Sequence, residues 1–177
     1  MRTMADTLKP LFSKQDIRKT VKRLAAEISS DYRGEEVLCV CILKGSFMFT
    51  SDLIRQIKVP TKVDFMRVSS YGKGMMSMGE VTITKDLEMD VSGKHVLIVE
   101  DIIDSGLTLT WIRDMLASRN PKSLRIVALV DKKARRKVDV PCDYVGFTIE
   151  DGFIVGYGID YAEKYRNLPD ILVVEKA

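Results

Sequence analysis

One histidine, one tryptophan and three cysteines are all that this 177-residue chain holds of those residues, and each scarcity closes off a class of protein. A zinc site needs several Cys or His ligands at set spacings; His95 stands alone, before a strand-like run, and Cys39, Cys41 and Cys142 offer no such spacing. The cysteine count is odd, and Cys39 and Cys41 sit at same-face spacing inside an apolar run, so they read as reduced core thiols and not as a disulfide framework. No stretch approaches the roughly 20 apolar residues of a membrane span, and the first residues lack the apolar segment of a signal peptide. A soluble, cytoplasmic protein is expected. Charge of one sign is missing as well: 28 Lys and Arg stand against 25 Asp and Glu, far from the basic excess of a dedicated nucleic-acid binder. Small anions are the expected clients. Linkers and internal repeats are also absent, and 177 residues at 46% hydrophobic content fit one domain better than two.

What is there alternates between helical and strand-like segments. Ser13 followed by Asp16 reads as a helix N-cap with an acid in the first turn, and Ile17, Val21, Leu24, Ala25 and Ile28 build one apolar face. The continuous apolar run Val37 to Leu43 suits a strand covered on both faces of a parallel sheet. Lys44-Gly45-Ser46 ends it. A second helical pattern runs through Phe47, Leu53, Ile54 and Ile57, followed by Pro60 and a strand over Val63 to Val68, giving a β-α-β unit. Residues 69–80 carry three glycines and three methionines without a buried period. They predict a mobile loop, with alternation at Val81 to Thr84 marking the return strand of a long hairpin. These glycines do not sit in a strand-to-helix turn, which excludes a dinucleotide fingerprint. Leu124 to Val130 supplies another buried strand. Tyr144 to Thr148, Phe153 to Tyr157 and Ile171 to Val174 read as short strands without helices between them, so the tail is expected to cap the sheet. The basic run Lys133 to Lys137 reads as a solvated loop.

The most informative segment is Val96 to Thr108. An apolar strand runs into Glu100 and Asp101, then into Asp104-Ser105-Gly106-Leu107-Thr108, and a helix follows with Leu109, Ile112, Met115 and Leu116 at helical spacing. A helix start offers unpaired N–H groups and a positive dipole end to a phosphate. The paired carboxylates are placed to accept from ribose hydroxyls or to hold a hard cation. Open parallel sheets bind ligands beyond the carboxyl ends of their strands. Lys44-Gly45, Glu100 to Thr108 and Lys132 each follow such a strand, so three turns are expected to converge on one rim.

The run Glu100-Asp101-Ile102-Ile103-Asp104-Ser105-Gly106 closely resembles the phosphoribosyl-pyrophosphate (PRPP) motif of the type I phosphoribosyltransferases, and the double Ile is most similar to the hypoxanthine-guanine branch. The resemblance extends from Lys44 to Arg166. It implies an α/β fold with a central parallel sheet flanked by helices, a small hood and a flexible loop, in a single domain over 1–177. The core would span about 35–150, the hood the N-terminal segment and 151–177, and the mobile loop about 69–80. It further implies that Asp104, Ser105, Gly106, Leu107 and Thr108 hold the 5-phosphate, with Glu100 and Asp101 at the ribose. Lys44, Gly45 and Arg166 would face the pyrophosphate, with Ser70 and Tyr71 in the closing loop. Lys132 would contact the purine 6-oxo group, Phe153 would stack on the base opposite Ile102, and Ile154 would present backbone groups to the base edge. Glu100 and Asp101 would hold Mg²⁺, and Asp160 a second Mg²⁺ beside the base and pyrophosphate.

The activity so implied is Mg²⁺-dependent transfer of 5-phosphoribosyl from PRPP to N9 of hypoxanthine or guanine, with Asp104 as general base, in a homodimer or homotetramer that needs neither nucleic acid nor membrane. Two other readings remain open at this point. One is a PRPP-sensing RNA-binding regulator of the same fold, which the modest charge and scarce aromatics disfavour; the other is a phosphoribosyltransferase for a different base.

Overall fold

In the computed structural model, which describes residues 7–70 and 81–175, twelve elements follow one another. They are β1 (Thr7–Phe12), α1 (Lys14–Asp31), β2 (Val37–Ile42), α2 (Phe47–Ile54), β3 (Thr61–Ser70), β4 (Val81–Lys85), β5 (His95–Ile103), α3 (Leu107–Ala117), β6 (Ser123–Lys132), β7 (Tyr144–Ile149), β8 (Ile154–Val155) and β9 (Ile171–Glu175). Six strands form a sheet ordered β4-β3-β2-β5-β6-β7. The pairs β2–β3, β2–β5, β5–β6 and β6–β7 are parallel, and β4 returns antiparallel beside β3. A separate antiparallel sheet, β1-β9-β8, joins the two ends of the described chain.

The uninterrupted apolar runs are explained by the two faces they must cover. Successive side chains of a strand point to opposite sides. Cys39, Leu97, Val99, Val127 and Leu129 accordingly join Ile17, Val21 and Leu24 of α1 and Phe49 and Leu53 of α2 in one core. The alternate residues Leu38, Val40, Val96, Ile98, Ile126 and Ala128 meet Leu109, Ile112 and Leu116 of α3 in a second core. Burying each larger aliphatic contributes about 1.5–3 kcal/mol, so both layers are needed. The five apolar residues expected on α1 are all buried, and Ser13 and Asp16 form a reciprocal capping box at its start.

Several boundaries differ from the sequence reading. The second helix stops at Ile54; Ile57 is buried in the turn that follows, where the amides of Gln56 and Ile57 both donate to the Leu53 carbonyl. Ser69 and Ser70 belong to β3 and not to the loop, because both pair with β4; the rest of the expected loop, 71–80, lies outside the described residues. Sheet pairing carries β5 on to Ile103, so Glu100 and Asp101 lie within the strand. Phe153 stands just before β8 instead of inside it.

Asp31, the last residue of α1, anchors that helix to the sheet. Its carboxylate accepts from Tyr144 Oη at 2.7 Å and pairs with Arg125. The Tyr144 hydrogen bond first, then that of Arg125, hold the carboxyl below its ordinary value. A depressed carboxyl pKa stabilises the fold above the unfolded-state value of about 3.9 and ceases to do so as pH falls through the folded value. Asp31→Asn is therefore expected to flatten part of the acid-induced fall in urea midpoint. Identical acid limbs in variant and wild type would remove the pair from the stability account.

Candidate active site

The strands β2, β5 and β6 are parallel neighbours, so their carboxyl ends lie along one rim. From β2 the chain proceeds to β3 on one side, and from β5 to β6 on the other. The order of strands thus reverses between β2 and β5, which is where an open α/β sheet leaves a crevice. Lys44-Gly45 follows β2, Asp104 to Thr108 follow β5, and Lys132 closes β6. Contact across the crevice is close: a Cβ on Gly45 would lie 1.7 Å from Asp101 Oδ2, and one on Gly158 would lie 2.2 Å from the Gly45 carbonyl. The Leu43–Lys44 peptide is cis.

Helix α3 begins without a side-chain cap. Its N-cap is Gly106, at φ 82°, which has no side chain to cap the first amides. The Leu107 amide makes only a long contact, 3.4 Å, to Ser105 Oγ. The first N–H groups of a helix have no partners within it, so this end is open to an anion. Glu100, Ile102, Asp104, Ser105, Gly106 and Thr108 help line a cavity of about 120 Å³ there. Only glycine suits the position: the φ is left-handed, and a Cβ would also lie 2.5 Å from the Val138 carbonyl. Gly106→Ala is expected to cost about 1–3 kcal/mol, read as a fall in urea midpoint. An unchanged midpoint would mean that the turn relaxes freely.

Lys44, Asp104, Lys132, Asp160 and Arg166 each have a counter-charge. Lys132, 7% exposed at its side chain, places Nζ 3.1 Å from Asp104 Oδ1. The contact is an ion pair by distance only, since Asp104 Oδ1 has no directed hydrogen-bond donor. Lys132 Nζ also reaches the Gly152 carbonyl at 3.5 Å. Lys44 Nζ donates to both carboxylate oxygens of Glu163 at 3.0 Å, and these bonds, with one from Arg166, lower the Glu163 pKa. Arg166 lies 2.7 Å from Asp160 Oδ1 and 3.3 Å from Glu163, and donates to the Gly158 carbonyl at 2.8 Å. Lys44, Asp160 and Arg166 therefore gather around Glu163. Near Lys132, Phe153 is 47% exposed and meets Tyr161 edge-on at 5.2 Å. Ile154 is buried in β8, and Ile102 packs against the first core.

For a metal, no three His, Cys, Asp or Glu side chains gather as a cage among the described residues. Glu100 and Asp101 are adjacent, and burial first, then the Asp101 charge, push the Glu100 carboxyl well above the usual carboxylate range. Two such oxygen donors fit Mg²⁺, which binds through one or two carboxylates and completes its shell with water and substrate oxygens. Asp160 does not join them: its Oδ1 faces Arg166 and its Oδ2 accepts from the Glu163 amide at 2.8 Å.

Tyr71 lies outside the described residues, as does the Ser70 side chain. The sequence reading missed Glu163, whose only signal was an acid three residues after Asp160, and gave no role to Tyr161, which follows Asp160 in the carboxyl-terminal element that resembles the family's. It also placed Arg136 in a solvated loop. That is incorrect: the Arg136 side chain is 16% exposed and pairs with buried Asp131. The signal available was an acid at the end of an otherwise apolar strand.

The phosphoribosyl transferase domain model matches residues 8–162. The hypoxanthine phosphoribosyltransferase of Salmonella typhimurium is 51% identical over 94% of each chain. The hypoxanthine-guanine phosphoribosyltransferase of Bacillus subtilis is 49% identical over 97% of this chain and 96% of its own. Among solved structures, a hypoxanthine phosphoribosyltransferase from Staphylococcus aureus superposes with a TM-score of 0.91 at 50% identity, covering 94% of this chain and 91% of that one. A hypoxanthine-guanine phosphoribosyltransferase from Bacillus anthracis gives 0.89 at 48% identity, covering 97% and 100%.

Proposed function

This chain belongs to the phosphoribosyltransferase family, and on that premise we propose that it is a purine salvage enzyme. It transfers 5-phosphoribosyl from PRPP to N9 of hypoxanthine or guanine and releases pyrophosphate. The observation that carries the reading is the uncapped start of α3 at Gly106, directly after Glu100 and Asp101 and beside the β2–β5 switch point. Half-identity to enzymes of this activity over nearly the whole chain supports it and leaves the RNA-binding alternative without support.

The residues divide the work as follows. The amides and hydroxyls from Ser105 to Thr108 take the 5-phosphate, and Glu100 and Asp101 the ribose hydroxyls. Cleavage at C1 leaves positive charge on the ribose ring, an oxocarbenium-like state akin to that of glycoside cleavage, while negative charge builds on the departing pyrophosphate. Lys44 and Arg166 answer that charge once the pyrophosphate replaces Glu163 as their partner. Lys132 donates to the 6-oxo group, Phe153 stacks on the purine, and Asp104 takes the proton released at N7 as N9 attacks. Glu100 and Asp101 would hold Mg²⁺, and Asp160 a second ion once it gives up Arg166, to neutralise charge on the donor. Residues around 70–80 are assigned to water exclusion, since hydrolysis of a cationic sugar competes with transfer.

The decisive measurement is pyrophosphate release from PRPP with a panel of hypoxanthine, guanine, xanthine, adenine and uracil. Release with the first two, abolished by EDTA, is expected. PRPP binding without turnover on any base would sink the enzyme assignment, and preference for adenine or uracil would sink the base assignment. The three cysteines are free, two of them buried, which supports a reducing cytoplasm. Two or four copies per particle are proposed from the family, to be counted by sedimentation.

A further inference from the structure

Asp131 and Lys132 close β6 with side chains on opposite faces, and their charges are used differently. Lys132 faces Asp104. Asp131, 5% exposed and opposite Ile103 in the β5–β6 ladder, faces away and pairs with Arg136 and Lys133. Burial acts to raise the Asp131 pKa, but the Lys133 and Arg136 hydrogen bonds outweigh it and the carboxyl stays low. The Arg136 guanidinium then reaches across both strand ends. Its Nε donates to the Asp104 carbonyl at 3.2 Å, and its Nη2 to the Ile103 carbonyl at 3.4 Å and the Lys132 carbonyl at 3.2 Å. The next two amides continue the same seam, those of Lys137 and Val138 donating to the Ser105 carbonyl at 2.9 and 3.2 Å.

We propose that Arg136, oriented by Asp131, is a positioning residue that holds the Ile103-Asp104-Ser105 backbone so that the open start of α3 presents its amides to the donor. The proposal rests on the phosphoribosyl-transfer reading of this site. Lys132 is already fixed by its pairing with Ile149 in β7, whereas Asp104 and Ser105 lie beyond the end of β5 and are tied mainly from behind, by this loop. A planar guanidinium with several fixed donors can serve one carboxylate and three carbonyls at once; a lysine ammonium cannot reproduce that fork. Loss of Arg136 should therefore loosen donor binding and leave purine recognition nearly intact.

The test compares wild type with Arg136→Gln and the milder Arg136→Lys in the full chain. Three quantities are read: the KM for PRPP, the KM for hypoxanthine, and hydrogen exchange at the amides of Lys137 and Val138. Both variants are expected to raise the PRPP KM by roughly 10- to 100-fold, the scale of losing charge-assisted hydrogen bonds. The hypoxanthine KM should stay within about threefold, and exchange at the two amides should quicken. Equal changes in both constants, or a fall in melting temperature with both constants unchanged, would make Arg136 merely structural and overturn the proposal. Should wild type form no nucleotide with any base, the functional reading fails separately. Amide exchange and titration with ribose 5-phosphate then decide the role of Arg136 alone, with unaltered exchange and unaltered affinity counting against it.

Discussion

Asp104→Asn is expected to lower kcat by roughly 10²- to 10⁴-fold, the scale of removing a general base, with the KM for PRPP within about threefold of wild type. Asparagine keeps the size of the side chain and an oxygen acceptor, but it cannot accept the purine proton. The backbone of the turn should survive the change. Its restraints run through main-chain carbonyls: Arg136 to the carbonyl of residue 104, Lys137 and Val138 to that of Ser105. None of these involves the carboxylate being removed. The Asp104 side chain is 38% exposed and its one close charged partner is Lys132, at 3.1 Å, so a large loss of stability is not expected either. The check is single-turnover formation of the nucleotide alongside PRPP binding at equilibrium. A kcat near wild type would take the base role away from Asp104, and a matching collapse of PRPP binding would reassign it to the donor.

How much of this was legible in the sequence follows from what each feature depends on. The α1 face and both cores were readable because they rest on periodicity: Ile17, Val21, Leu24, Ala25 and Ile28 mark a helix, and the unbroken runs at Val37 and Val96 mark strands covered twice. The strand-to-helix turn between β5 and α3 was readable because Gly106 and its neighbours announce it. Long-range pairing was not. Nothing in local spacing joins Lys44 to Glu163, 119 positions away, or Lys132 to Asp104. Arg136 looked solvated because a run of five basic residues within six positions hides the single member that turns inward. The length of β5 was misjudged for a similar reason: carboxylates signal a strand end by composition, yet Glu100 and Ile102 keep pairing with Ala128 and Val130.

The ion pairs around the site share one feature. Lys44 and Arg166 pair with Glu163 and Asp160, Lys132 with Asp104, and Arg136 with Asp131. The first two sets sit at the crevice, and the proposed function has them exchange partners when the donor and base arrive. The Arg136–Asp131 pair is the more buried and lies behind the turn. It is placed to stay fixed while the others exchange.

Lys132→Ala follows from that arrangement and is expected to raise the KM for hypoxanthine and guanine by roughly 10²-fold, with the PRPP KM altered by less than about threefold. A hydrogen bond from a charged donor contributes about 1.5–3 kcal/mol when its partner would otherwise be left unsatisfied, and Lys132 is buried to 7% exposure at the side chain, where water competes poorly. Alanine removes the proposed donor to the 6-oxo group and also the counter-charge of Asp104. Lys132→Gln separates the two effects: it restores a neutral donor of similar reach but not the charge. If base reading dominates, glutamine should recover a large part of the purine KM. If the lysine acts chiefly by holding Asp104, glutamine should resemble alanine, and kcat rather than the purine KM should carry the loss. Adenine supplies the last arm, since its 6-amino group is a donor and gains nothing from Lys132. A residual adenine activity that falls in step with hypoxanthine would show that Lys132 supports the site without reading the base.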